Sequence, residues 1–196
     1  MEKLRVGILL FNEVEVLDFA GPFEVFSLAE TADQQKFFDV QTISADGGMI
    51  TARNGLRVLP DVSFAECPAL DLLIIPGGYG AEEIELYNSE LLAWIVERSQ
   101  QVSILASVCT GALLLAQAGL LDGKEATTHW LDLERLRKLF PAVSVQEKVK
   151  FVEDGSIITS GGIAAGIDMS FYLVAKICGP AVAQRTAKRM EYPYCP

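Results

Sequence analysis

Leu4 to Leu10 is a short, nearly unbroken apolar run of strand length, without the polar alternation of a strand that has one wet face. Such a segment has to be buried on both faces, as in a parallel sheet covered by helices. Leu70 to Ile75 reads as a strong central strand of the same kind, closed by Pro76-Gly77-Gly78, and Val102 to Ala106 as the next. Phe38 to Ser44 reads as a second strand, Asp46-Gly47-Gly48 as a turn, and Gly55 to Leu59 as a further short, hairpin-like strand ending at Pro60. Ala126 to His129, Ser144 to Gln146, Val149 to Val152 and Ser156 to Thr159 are shorter strand candidates.

Helical segments fall between these strands. A first helix is expected from Ala20-Gly21-Pro22, because proline suits the first helical turn, with Phe23, Phe26 and Leu28 on its inner face. Leu91, Leu92, Ile95 and Val96 give the segment from Ser89 to Ser99 one apolar side. Cys109 to Gly119, Trp130 to Leu139, Ile167 to Ile177 and Ala181 to Met190 complete the set. Strands and helices alternate with no linker, repeat or change of composition, so 1–196 is read as one α/β domain with a mostly parallel central sheet.

Composition limits the functional classes. The chain has 196 residues, 51% of them hydrophobic and 21% charged, which suits a large buried core and not a disordered chain. It carries 26 acidic and 16 basic residues, a formal net charge of −10 that repels phosphate backbones and anionic lipid surfaces. No nucleic-acid partner and no membrane association is expected. Ser99 to Leu121 has no charged residue, but its glutamines, serines and threonine make it a buried strand running into a buried helix. The apolar run after Met1 is too brief for a signal peptide, and Cys67, Cys109, Cys178 and Cys195 are too widely spaced for a disulfide scaffold, so a cytoplasmic protein is expected. One histidine and scattered cysteines assemble no metal site.

In open α/β sheets ligands sit outside the carboxyl ends of the strands, so polar residues at strand exits are the candidates. Cys109 stands in Ser107-Val108-Cys109-Thr110-Gly111, a strand-to-helix turn of the nucleophile-elbow kind. A thiol facing a helix N-terminus is expected to have a lowered pKa and to be nucleophilic. Cys67, Cys178 and Cys195 have no comparable setting and read as small buried residues. The Gly77-Gly78 pair lets backbone amides approach a ligand, and Gly78 with Thr110 is the expected pair of oxyanion donors. Asp18, just before the first helix, reads equally as a cap and as a functional carboxylate. His129, after Thr127-Thr128, is the single histidine and lies near Cys109 in the expected layout.

Together these segments resemble the ThiJ/PfpI superfamily over essentially the whole chain: Leu17-Asp18-Phe19-Ala20-Gly21-Pro22, Pro76-Gly77-Gly78, Ala106-Ser107-Val108-Cys109-Thr110-Gly111-Ala112, Ala126-Thr127-Thr128-His129-Trp130 and Thr159-Ser160-Gly161-Gly162-Ile163. Asp at position 18, with Cys-Thr-Gly at the elbow, is most similar to isonitrile (isocyanide) hydratases and to the amidotransferase-like sensor domains of arabinose-type regulators. The resemblance implies a flavodoxin-like three-layer sandwich, a homodimer, and a small-molecule substrate handled without metal or organic cofactor. It also implies Cys109 as nucleophile, Asp18 hydrogen-bonded to it, a role for Thr110, and His129 near the nucleophile. The implied reaction is hydration of an isonitrile to an N-substituted formamide through a thioimidate on Cys109, which requires an Asp18 pKa raised by burial.

Two other readings stand beside it. Glyoxalase or deglycase-like chemistry on reactive carbonyls goes in this superfamily with Glu where Asp18 stands. A cysteine-based redox or small-molecule sensor needs no turnover; regulators of that type add a C-terminal helix-turn-helix, and with the chain ending at Pro196 a transcription factor is not expected. Peptidase relatives carry His after the cysteine, where this chain has Thr110.

Overall fold

The computed structural model describes residues 3–194; Cys195 lies outside them. Its strands, in chain order, are β1 (Leu4–Leu9), β2 (Phe38–Ser44), β3 (Ile50–Thr51), β4 (Arg57–Val58), β5 (Val62–Ser63), β6 (Leu72–Ile75), β7 (Ile104–Val108), β8 (Glu125–Ala126), β9 (Ser144–Val145), β10 (Phe151–Asp154) and β11 (Ile157–Ser160). The α-helices are α1 (Val16–Leu28), α2 (Tyr79–Glu83), α3 (Ser89–Ser99), α4 (Gly111–Gln117), α5 (Leu133–Leu139), α6 (Ala165–Cys178) and α7 (Pro180–Arg189).

Seven strands form one sheet in the order β10-β11-β7-β6-β1-β2-β5. Every pairing in it is parallel except β10 with β11. The strands read as apolar runs occupy its middle, and Val6, Ile8, Leu9, Leu73, Ile74 and Ile75 have essentially no solvent contact. Helices flank the sheet in two groups: α1, α6 and α7 pack on one another, and α4 packs against α2 and α3. The charge-free stretch is β7 and α4, both buried apart from Ile104 and Gln117. Among the described residues no helix is long and apolar enough to cross a membrane.

The chain leaves β1 toward β2 on one side and, after β6, continues to β7 on the other. That reversal lies between β1 and β6, and it opens a crevice at their carboxyl ends. The sequence places the strands flanking this crevice correctly.

Several boundaries differ from the sequence expectation. Helix α1 begins at Val16, about one turn before Ala20, and Pro22 lies inside it. Proline removes one intrahelical hydrogen bond, the one the Asp18 carbonyl would accept, and the burial of Asp18, Phe19, Val25 and Phe26 outweighs that loss. Phe26 is fully buried and meets Phe38 edge-on at 5.0 Å, whereas Phe23 is 36% exposed and does not belong to the inner face. Of Ala126 to His129 only the first residue is strand, because Thr127 turns its amide and hydroxyl, and Thr128 its hydroxyl, to tertiary partners. Helix α5 starts at Leu133, later than Trp130, which is 72% exposed. The Gly55 to Leu59 segment contributes only Arg57–Val58, paired with Ile50–Thr51 outside the main sheet. Edge strand β5 and helix α2 are too short to leave a periodic pattern.

Candidate active site

The elbow is built as the sequence anticipates. Strand β7 ends at Val108, Cys109 has φ 55°, and α4 begins at Gly111. A left-handed conformation at a residue with a Cβ costs about 1–2 kcal/mol, and it is held by tertiary bonds. The Cys109 amide donates to the Ser160 and Gly161 carbonyls at 3.2 and 3.1 Å, and the Thr128 hydroxyl donates to the Cys109 carbonyl at 2.9 Å. Thr128 is thereby a support of the elbow, which the sequence leaves unassigned.

Asp18 does not precede the first helix; it sits in the first turn of α1 and is fully buried. The Gly77 amide donates to its Oδ2 at 3.0 Å, and Oδ1 is buried with no hydrogen-bond partner of its own. The Cys109 thiol lies within hydrogen-bonding reach of this carboxyl. Burial pushes the Asp18 pKa up to about 7, helped by the charges of Glu15 and Glu82 and opposed by the Gly77 amide. The sequence reading required such a shift, and the direction agrees.

For Cys109 the direction is opposite to the sequence expectation. Burial, then the Asp18 carboxylate, push its pKa up, and the Thr110 and Ile163 amides with the Thr110 hydroxyl only partly offset this. Helix α4 has seven residues, so its partial charge is small beside a buried neighbouring carboxyl. The thiol is therefore the resting form, and a base must take its proton during attack. Cys67 and Cys178 are also raised by burial, but no carboxyl acts on either.

The glycines after β6 serve close approach. Gly78 has φ 115°, and a Cβ on it would stand 2.5 Å from the Glu15 amide nitrogen. A Cβ on Gly77 would stand 2.5 Å from the Thr110 nitrogen. The Gly78 amide donates to Thr110 Oγ1 at 2.9 Å, so the oxyanion role expected of it requires that bond to be given up. The amides directed at the sulfur are those of Thr110 and Ile163. Ile163, a β-branched residue with φ 48°, is the contributor that sequence reasoning missed. The only signal for it is its place after Gly161-Gly162.

At Gly111 a Cβ would meet the Ile75 carbonyl oxygen at 2.1 Å, a backbone atom that cannot move without disturbing β6. Gly111→Ala is expected to destabilise the protein by about 1–3 kcal/mol. A urea midpoint equal to the parent's would refute this tight fit.

His129 and Cys109 line one cavity of about 280 Å³ together with Gly78, Tyr79, Leu131 and Ile163. The imidazole Nδ1 is 3.6 Å from Asp132 Oδ2, and its ring packs so closely on Gly162 that a Cβ there would lie 2.0 Å from Cδ2. Among the described residues no three His, Cys, Asp or Glu side chains are grouped to hold a metal ion.

Residues 4–176, which include Asp18 and the elbow at Cys109, match the model of the DJ-1/PfpI family. The chain belongs to the DJ-1/PfpI family. Among curated members, isonitrile hydratase of Pseudomonas putida is 38% identical over 193 residues, covering 98% of this chain and 80% of the relative. The HTH-type transcriptional regulator GbdR of Pseudomonas aeruginosa is 29% identical and covers 95% of this chain, which spans 50% of that regulator's length. A solved ThiJ/PfpI family protein from Pseudomonas syringae superposes with TM-score 0.88 at 28% identity, covering 100% of this chain and 78% of that one. DJ-1beta of Drosophila melanogaster shares the DJ-1/PfpI fold, with TM-score 0.84 at 20% identity, over 98% of this chain and 100% of its own.

Proposed function

We propose that the protein hydrates isonitriles to N-substituted formamides, with Cys109 as nucleophile and Asp18 as proton carrier. The observation that carries this reading is the pairing of a buried thiol with a buried carboxyl whose pKa stands near 7, one oxygen of which has no other partner. Similarity to the Pseudomonas putida isonitrile hydratase supports the choice of substrate.

The chemistry follows from the proton count. Asp18 takes the thiol proton as sulfur bonds to the terminal carbon of R–N≡C, and returns it to that carbon, which gives the thioimidate R–N=CH–S–Cys109. The charged carbon of the isonitrile thus becomes C–H without any free ion leaving the site. Water then adds to the same carbon: Asp18 takes one of its protons and passes it to the nitrogen, which gives R–NH–CH(OH)–S–Cys109, whose hydroxyl proton Asp18 next moves to the sulfur. The C–S bond breaks, the thiol is re-protonated, and R–NH–CHO leaves. Thr110 and Ile163 amides aimed at Sγ stabilise the sulfur whenever it carries negative charge.

The test is incubation with a simple alkyl isonitrile, following formamide by proton NMR and the intact protein by mass spectrometry. Formamide release with a transient adduct of the isonitrile's mass on Cys109 is the expected result; absence of both overturns the reading. The similarity to GbdR over 95% of this chain favours a second reading, in which the same pocket binds a small molecule without turnover. Stable binding with no formamide would establish it.

The reactive state has one proton on the Cys109–Asp18 pair. Below about pH 7 Asp18 is protonated and cannot accept the thiol proton. We expect kcat/KM to fall tenfold per pH unit below about 7 and to level off above it. A profile flat from pH 5 to 8 would remove Asp18 from the proton path.

A further inference from the structure

The residues around Cys109 carry a charge pattern that the reaction itself does not need. Glu15, Glu82 and Asp132 line the cavity, against Arg53 as its one guanidinium. Arg53 Nη1 is 2.9 Å from Glu13 Oε2 and its guanidinium lies over the Tyr79 ring at 5.2 Å; its charge also acts on Glu15 and Glu82, so one guanidinium partly offsets three lining carboxylates and leaves an excess of negative charge. Arg135 donates to the Glu82 carbonyl at 2.8 Å and pairs with Glu83 at 3.0 Å; its charge also acts on the Glu82 carboxylate, but less than burial and Asp132, which act in the opposite direction. Asp132 is 16% exposed at the side chain, and its neighbour across 3.6 Å is His129. Two of these carboxylates also act on one another: Asp132 helps to raise the Glu82 pKa, after burial. That the cavity is a ligand site rests on separate features: Cys109 lines it, and the thiol meets the fully buried carboxyl of Asp18, whose Oδ1 has no other hydrogen-bond partner.

We infer that Glu15, Glu82 and Asp132 make the pocket select by charge, admitting uncharged or cationic substrates and rejecting anionic ones. Within the hydration reading, on which the substrate class rests, the natural isonitrile is neutral or carries an amine, and its apolar part lies against Leu131 and Ile163 at the rim. A carboxylate-bearing isonitrile meets the lining charges at close range, in a pocket too small to hold them all behind bulk water. At separations of about 6–8 Å each uncompensated charge changes binding by on the order of tenfold.

Two measurements test this. The first uses thiol probes and needs no turnover. Methanethiosulfonates react with a thiol to form a protein disulfide and release methanesulfinate and a proton, so the rate reports access to Cys109. Trimethylammonioethyl, methyl and sulfonatoethyl methanethiosulfonates present cationic, neutral and anionic forms, and peptide mass mapping isolates Cys109 from the other cysteines. With each rate divided by that for free 2-mercaptoethanol, the cationic probe is expected to exceed the anionic one by at least about tenfold at low salt, and by less at 0.5 M salt. In Glu82→Gln with Asp132→Asn, or in Glu15→Gln should that pair not fold, the ratio is expected to fall several-fold. Equal normalised rates in the parent, or an unchanged ratio in the variants, overturn the inference. The second compares kcat/KM for ω-ammonium and ω-carboxylate alkyl isonitriles of equal length, with the ammonium form expected to be favoured. If neither isonitrile turns over but the probe order holds, the reaction is wrong and the charge selection stands. If both turn over equally, the charge selection is wrong and the reaction stands.

Discussion

Cys109→Ala is expected to reduce formamide release to the uncatalysed rate while leaving the fold intact. Cys109 carries the nucleophilic sulfur of the proposed thioimidate, and among the residues lining the pocket it is the one thiol. The side chain is small, and its removal leaves a void of about one sulfur atom, which costs on the order of 1 kcal/mol. Alanine retains the left-handed strain at φ 55°, so the elbow geometry is unchanged. The check is isonitrile turnover alongside a thermal melt of the same preparation. Substantial residual turnover in a folded variant would end the thioimidate mechanism, whereas an unfolded variant would show that the thiol is part of the packing.

Asp18→Asn is expected to move activity and stability in opposite directions. Asparagine can still accept the Gly77 amide bond, but it cannot carry the thiol proton, so kcat/KM should fall by about 10²–10⁴ at pH 8 and lose its dependence on pH near 7. Stability behaves differently because the folded pKa of about 7 lies above the ordinary 3.8. The folded state binds the proton more tightly, so the stabilisation associated with Asp18 is fully present below pH 3.8 and is lost as pH rises through about 7. The full difference is at most about 4 kcal/mol, since each pKa unit is worth about 1.4 kcal/mol. The neutral asparagine avoids this loss, so the variant should melt higher than the parent at pH 8, with the gap narrowing at pH 5. A variant equally stable or weaker at pH 8 would mean that the carboxyl is not held at a cost, and with it the reason to assign Asp18 a proton-carrying role.

Gly77 and Thr110 show why these effects centre on so few residues. The loop after β6 donates to Asp18 through Gly77 and to Thr110 through Gly78, and accepts from the Glu15 amide at 2.9 Å through the Gly77 carbonyl. Three strand exits, those of β1, β6 and β7, are thus laced to one another at backbone level. A side chain at either glycine would have to occupy the space of a backbone atom.

The sequence by itself determined the layered α/β architecture, the succession of central strands, the elbow at Cys109 and the family. Each is carried by local pattern. A strand buried on both faces must be apolar throughout, a tight strand-to-helix turn must use small residues such as Gly111, and Gly77-Gly78 must sit where backbones touch. Only the tertiary structure decided what depends on residues remote in the chain. It placed Asp18 inside α1 although Pro22 argues for a later start, because the burial of Phe19 and Phe26 outweighs one lost hydrogen bond. It brought Ile163 to the sulfur, engaged the Gly78 amide with Thr110, and set Glu15, Glu82 and Asp132 around one opening. It also reversed the expected direction of the Cys109 pKa. A helix start is visible in sequence, but desolvation and the distance to a carboxylate are properties of the packed interior, and here they are the larger electrostatic effects.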